Sequence, residues 1–197
     1  MDLKGFQQHG HSSWRLRLCF VFAVEVLLDE YTADPRFSLS KDRSSIRWDR
    51  AAGQGGPHLW KKHSDTWSVW GKEGYTSGRK YWLVSVSPNT VWSVGLARQH
   101  VSLGQWKRPS PQEGYWTVML WNFKPGGQQV RTLGNLIVVV QLSKVGIYLN
   151  YEEGRVSFYN PEDSSHLYTY KTILTGRIFP VFRLWVGSFQ QATLIIL

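Results

Sequence analysis

Apolar residues in this chain recur at every second position and almost nowhere at every third or fourth. Tyr81-Trp-Leu-Val-Ser-Val-Ser87, Val91-Trp-Ser-Val-Gly-Leu-Ala97 and Tyr115-Trp-Thr-Val-Met-Leu-Trp121 all show it, and all are rich in aromatic and β-branched side chains. The same pattern marks strands over 136–142, 145–149, 155–159, 166–170, 178–185 and 192–197. Turn clusters separate them: Pro88-Asn89, Pro109-Ser110-Pro111, Pro125-Gly126-Gly127 and Asn160-Pro161. Many short strands at near-regular spacing leave one class of answer, an all-β antiparallel sandwich or barrel. A chain of 197 residues fits one such domain.

The stretch from Val145 to Asn160 shows the rule at work. Val145, Ile147 and Leu149 alternate with Gly146 and Tyr148, so one face is apolar. Asn150-Tyr-Glu-Glu-Gly154 is a turn in which Gly154 is free to take positive φ, and Val156 and Phe158 then return on the apolar face. This predicts a hairpin with Ile147, Leu149, Val156 and Phe158 in the core.

Composition narrows the function. A single cysteine, Cys19, excludes an internal disulfide and any multi-thiolate zinc site, so this polypeptide has no RING or B-box finger. The six histidines include no helix-spaced pair with an intervening acid, so no metal is expected. No run of 18 apolar residues exists, which rules out a membrane-spanning helix. The apolar stretch Leu18–Leu28 is interrupted by Glu25 and lacks a small-x-small cleavage site, so its second half reads as a first strand and the chain as cytoplasmic. Residues 1–22 fit none of these patterns, and Gln7-Gln-His-Gly-His-Ser-Ser13 within them is polar and aperiodic, so a loose tail is expected. With no heptad run, the chain is expected to be a monomer. The net charge of +9 is compatible with an anionic partner, while 15% aromatic residues, including 11 Trp, lean toward a recognition surface.

Four segments in order carry a resemblance. They are Leu28-Asp-Glu-Tyr-Thr-Ala-Asp-Pro35 with Leu39-Ser-Lys-Asp42, Gly74-Tyr-Thr-Ser-Gly-Arg-Lys-Tyr-Trp82, Trp92-Ser-Val-Gly-Leu-Ala-Arg98, and Leu149-Asn-Tyr-Glu-Glu-Gly-Arg-Val-Ser-Phe-Tyr159. Together they resemble the PRY-SPRY (B30.2) domain of tripartite-motif ubiquitin ligases and butyrophilins. The resemblance implies a bent two-sheet antiparallel sandwich, with a PRY segment over 23–75 and a SPRY segment over 76–197 forming one B30.2 domain. It also implies a non-catalytic module that binds a protein partner through variable loops, in ubiquitin-ligase or innate-immune pathways. The chain departs from the family pattern at Leu83, at Asn150 and at Val69-Trp70-Gly71, positions expected beside loops or strand ends.

Catalysis has little support. His63-Ser64-Asp65 are neighbours in sequence, which is not how a triad is built, and no G-x-S-x-G, P-loop or G-x-G-x-x-G occurs. No cofactor is expected. The partner-binding candidates are Met119, Trp121, Trp185, Trp60 and Trp67. Met119 and Trp121 lie two apart on one strand, facing outward if Val118 and Leu120 are core. Packing at the sandwich edge is the competing reading of Trp121 and Trp185. A second function class is a butyrophilin-like groove for a phosphorylated small molecule, built from Lys61, Lys62, Arg79, Lys80 and Arg98. A third is nucleic-acid binding through the mixed Trp60, Lys61, Lys62 and Trp67 segment.

Overall fold

The computed structural model describes residues 21–48, 67–86, 91–101, 109–121, 129–131, 137–139, 142–185 and 193–197. Fourteen strands lie among them: β1 (Leu28–Asp29), β2 (Phe37–Leu39), β3 (Ser45–Trp48), β4 (Ser68–Gly71), β5 (Arg79–Val86), β6 (Val91–Arg98), β7 (Tyr115–Trp121), β8 (Gln129–Arg131), β9 (Ile137–Val139), β10 (Lys144–Asn150), β11 (Arg155–Tyr159), β12 (His166–Lys171), β13 (Ile178–Trp185) and β14 (Thr193–Ile196). Two short 3-10 turns, Glu30–Thr32 and Pro111–Glu113, are the helical elements among the described residues that span several positions.

The strands form two seven-stranded antiparallel sheets. The first runs β1-β4-β13-β6-β7-β8-β9 and the second β12-β11-β10-β5-β14-β3-β2. Alternation sorts their side chains. Trp92, Val94 and Leu96 of β6 and Trp116, Val118 and Leu120 of β7 are all fully buried, as are Trp82 and Val84 of β5. They meet Val145, Ile147, Leu149, Val156 and Phe158 from the second sheet in one continuous core. Tyr170 crosses that core and donates its hydroxyl to the Thr117 carbonyl at 2.8 Å.

The predicted hairpin is present. Ile147 pairs with Phe158 and Leu149 with Val156, and the four expected core residues are all at 0% exposure. The chain turns through 151–154, with Gly154 at φ 60°. In contrast, the expected first strand is reduced to β1 and a lone parallel bridge from Ala23 to Tyr81. Val26 and Leu28 still point inward, but the backbone between them and Ala23 belongs to no strand.

Strands β2, β3 and β4 gave no periodic signal, because each has only three or four residues, and β2 and β3 are punctuated by Ser and Arg. The β2–β3 connection is closed by backbone bonds from the Ser40 N–H to the Ser45 carbonyl and from the Arg43 N–H to the Ser40 carbonyl, both at 3.0 Å, and by side chains. Ser40 Oγ accepts from the Ser45 N–H at 3.0 Å, and Asp42 Oδ1 accepts from the Ser44 N–H at 3.2 Å. The Ser40 hydroxyl, more than any other group, holds the Asp42 carboxyl below the usual carboxylate range.

Candidate functional site

The side of the first sheet that faces away from the core is where the candidate site lies. Since Trp92, Val94 and Leu96 face inward, Ser93, Gly95 and Ala97 face outward, and on β7 the outward set is Tyr115, Thr117 and Met119. The strand register aligns these positions in rows. One row reads Ser68 (β4), Arg183 (β13), Ser93 (β6), Met119 (β7) and Arg131 (β8).

This outer face is unusually well covered for a sheet surface. Ser68, Ser93, Thr117 and Arg183 are all at or below 3% exposure, whereas Met119 at the end of the row is half-buried. Beside the row, Ala97, Tyr115 and Val181 form a small second apolar cluster with Trp70 and Val101. Ser93 Oγ is buried and takes no hydrogen bond among the described residues.

Arg183 gives the face its charge. Burial pulls its guanidinium down to about 10, opposed by its attraction to Tyr115, so it remains a cation at neutral pH. Burial likewise pushes the Tyr115 hydroxyl up to about 12, against the pull of Arg183, and does the same to Tyr75 at the rim of the core. Both tyrosines therefore favour the neutral form in the folded state. Their contribution to stability is complete below pH 10 and is lost as pH rises toward 12. A Tyr75→Phe/Tyr115→Phe variant is expected to flatten the alkaline fall in unfolding free energy across that window. Phenolate absorbance, read in parallel, should show two tyrosines fewer titrating late.

The expected anchors Trp121 and Trp185 are described by their backbones, which end β7 and β13. Trp185 pairs with Val91, and Trp92 pairs with Leu120, so the next step of the register sets Val91 opposite Trp121. Trp121 and Trp185 thus stand two strands apart in one row, about 10 Å from backbone to backbone, next to the row that holds Met119 and Arg183.

A model of the SPRY domain family matches residues 79–195, more than half of the chain. The chain belongs to the SPRY domain family. Butyrophilin subfamily 1 member A1 from Bos taurus is 36% identical over 169 residues, covering 83% of this chain and 31% of that protein. The E3 SUMO-protein ligase TRIM60 from Mus musculus is 34% identical over 179 residues, covering 87% of this chain and 36% of that protein. The chain therefore spans about a third of the length of these relatives. The crystal structure of the TRIM65 PSpry domain shares the fold, with a TM-score of 0.70, 22% identity, and coverage of 93% of this chain and 94% of that one.

Within this SPRY fold the other candidates disperse. Trp67 is half-buried against the core, where it packs on Trp48 with ring centroids 6.0 Å apart. The Arg36 guanidinium lies 5.4 Å from the Trp48 ring centroid and 4.9 Å from that of Trp67. It also donates from Nε and Nη2 to the buried Asp34 carboxylate at 2.6 and 2.5 Å. Trp67 is thereby held in a clamp, joining the end of β3 in the second sheet to the start of β4 in the first. Nothing in the sequence pairs Arg36 with either indole. Trp60, Lys61 and Lys62 lie outside the described residues.

The proposed basic groove does not draw its remaining members together. Arg79 sits over Phe22, Lys80 over Tyr75 and Arg98 over Trp116, three separate rings. Adjacent along β5, Arg79 and Lys80 point to opposite sides of the strand. Of the departures from the family pattern, only Leu83 is placed differently from expectation, in the middle of β5. Trp70 lies one residue from the end of β4, packed on Phe179 at 6.0 Å, and Asn150 ends β10, both as expected. Sequence reasoning passed over Arg183, although a lone cation within the apolar run 178–185 was the available signal.

Among the described residues, no three His, Cys, Asp or Glu side chains gather to hold a metal, and no helix is long and apolar enough to cross a membrane.

Proposed function

We propose that this chain is a non-catalytic recognition module that holds a protein partner against the outer face of its first sheet. Met119, Trp121 and Trp185 serve as apolar anchors, with Arg or Lys at the rim. Family membership supports a protein-interaction role. The observation that carries the reading to particular residues is the register, which gathers Met119, Trp121 and Trp185 into two neighbouring rows at one end of the sheet. Partner or substrate selection in a ubiquitin-ligase or innate-immune pathway, in the cytoplasm and as a monomer, is the setting we propose.

The same reading takes residues 23–75 as the PRY segment and 76–197 as the SPRY segment of one B30.2 domain, preceded by 1–22. Its support is that the strands of 23–75 extend both sheets of 76–197 at one end. β4 pairs with β13, and β3 pairs with β14.

The test is a pull-down with the wild type, Met119→Ala and Trp121→Ala/Trp185→Ala, at low and high salt, with thermal unfolding of each protein as a folding control. The expected result is a folded double variant that loses the partner, with Met119→Ala weakening it by about thirtyfold, as for a hot spot worth about 2 kcal/mol. Equal capture by all three proteins would remove the anchors. Capture that vanishes at high salt for every protein would instead favour the anionic-ligand or nucleic-acid reading.

A further inference from the structure

Across the core from β7, β12 ends the second sheet, and among the described residues nothing pairs with its outer edge. The Thr172 N–H donates to the Gly154 carbonyl at 2.8 Å, so this opposed pair is a hydrogen-bonded one. In an antiparallel ladder such pairs alternate, which makes Val156–Tyr170 the next. The N–H and C=O of Thr169 and Lys171 therefore point away from β11, into the open edge. The ladder is regular up to an irregularity at Phe158/Tyr159, which bounds the free edge on that side.

The chemistry beside this edge is cationic. Arg79, Asn150, Arg155 and Lys171 form one row across β5, β10, β11 and β12 on the outer face of the sheet. Glu153 already occupies part of the row, with Oε2 3.1 Å from Arg155 Nε and Oε1 4.0 Å from Arg79 Nη2. Its carboxylate shows how the row accepts an acid. Lys171, the member next to the open edge, is exposed and has no acidic partner among the described residues. Just past it stands Ile173, 83% exposed.

The geometry points to β12 as a strand-addition site for an extended acidic segment of a partner protein, alternating acidic and apolar residues. The segment's backbone would pair with Thr169 and Lys171, about 4.8 Å from β12. One set of its alternate side chains would then fall beside Lys171, where a carboxylate completes the row as Glu153 does on the other side. The alternate set would fall on the side of Tyr168 and Tyr170, which pack against the core, while Ile173, two residues beyond Lys171, stands by alternation on the Lys171 side. An exposed edge is the usual hazard for strand pairing, and a lysine on it selects against basic or self-matching strands in favour of acidic ones.

The probe is a fluorescent capped hexapeptide of alternating Val and Glu, measured by anisotropy against the purified chain. Three comparisons decide the matter. The first is the same peptide with alternate backbone nitrogens methylated, in both frames. The second is Lys171→Glu tested with the Val-Glu peptide and with a Val-Lys peptide. The third is Thr169→Pro, read against Thr169→Val, which like proline loses the hydroxyl's bond to Ser157 Oγ on β11 but keeps the outward N–H. Strand addition predicts that methylation in one frame and Lys171→Glu each weaken the Val-Glu peptide by about tenfold or more, and that Lys171→Glu prefers the Val-Lys peptide. Equal affinity for both methylated peptides and the parent would overturn the proposal, since simple charge attraction does not need backbone donors. No binding at all would overturn it too. So would a dimer in sedimentation that the peptide cannot dissociate, because the edge would then belong to a second copy. If Thr169→Pro fails to fold, the methylated peptides still decide.

Discussion

Arg36→Met will lower the unfolding free energy by about 3 kcal/mol, at the low end of the cost of removing one partner from a buried ion pair. The low end applies because the Arg36 side chain is 19% exposed while that of Asp34 is at 0%. Methionine keeps the aliphatic stem of Arg36 as far as the position of Nε, so the change removes the charge together with its two hydrogen bonds to Asp34 and its contacts with the Trp48 and Trp67 rings. What remains is a carboxylate with its Arg36 N–H at 3.0 Å and no cation. Urea titration should show the midpoint falling with an unchanged slope. Adding Asp34→Asn to the variant removes the stranded charge and should restore about 1 kcal/mol or more. If Arg36→Met unfolds like the wild type, the clamp is a surface contact with no hold on the two sheets.

Gly154→Ala is the second large effect, also about 3 kcal/mol. Part of it is conformational, since Gly154 has φ 60°, a region that costs an ordinary residue about 1–2 kcal/mol. The rest is collision, because a Cβ there would overlap the carbonyl oxygen of Thr172. That strand end is fixed, with the Thr172 N–H bonded to the Gly154 carbonyl, so it cannot simply move aside. Gly176 supplies the control: its φ is 71°, but a Cβ would meet nothing within 4 Å. Gly176→Ala should therefore cost about 1 kcal/mol. The gap between the two variants, read as a difference in melting temperature of roughly 4–8 °C for a chain of this size, measures the collision alone. Equal losses would place the whole effect in backbone conformation.

The hairpin shows how far local pattern reaches. Val145 to Phe158 alternates cleanly and closes through a glycine, so both its register and its buried face follow from neighbours in sequence. β7 was legible for the same reason, and the outward direction of Met119 follows from Val118 and Leu120 being buried, whereas the cover over Thr117 on the same side does not. β2, β3 and β4 were not legible, because strands of three or four residues are defined by the partner they find. The Arg36 clamp lies further out of reach. It joins a residue before β2 to one at the end of β3 and another before β4, across two sheets, and no periodicity encodes such a meeting. The charge on the candidate face was hidden for a third reason. Arg183 sits in a run whose pattern says only that the strand is buried, and its consequence emerges from the register that brings Ser93 and Met119 alongside.

The position of β14 sets the order in which the molecule can be completed. It is the last described strand in the chain, yet it lies between β5 and β3 in the middle of the second sheet. During synthesis, β2 and β3 emerge early and then wait with one edge bare until residues 193–196 have been made. Closure of that sheet is therefore a late event joining segments nearly 150 residues apart in the chain. Such a topology folds slowly, on the millisecond-to-second scale of sandwiches dominated by distant contacts. In a nascent chain, the β3 edge left bare by the absent β14 is the place where a chaperone or a second nascent copy would bind.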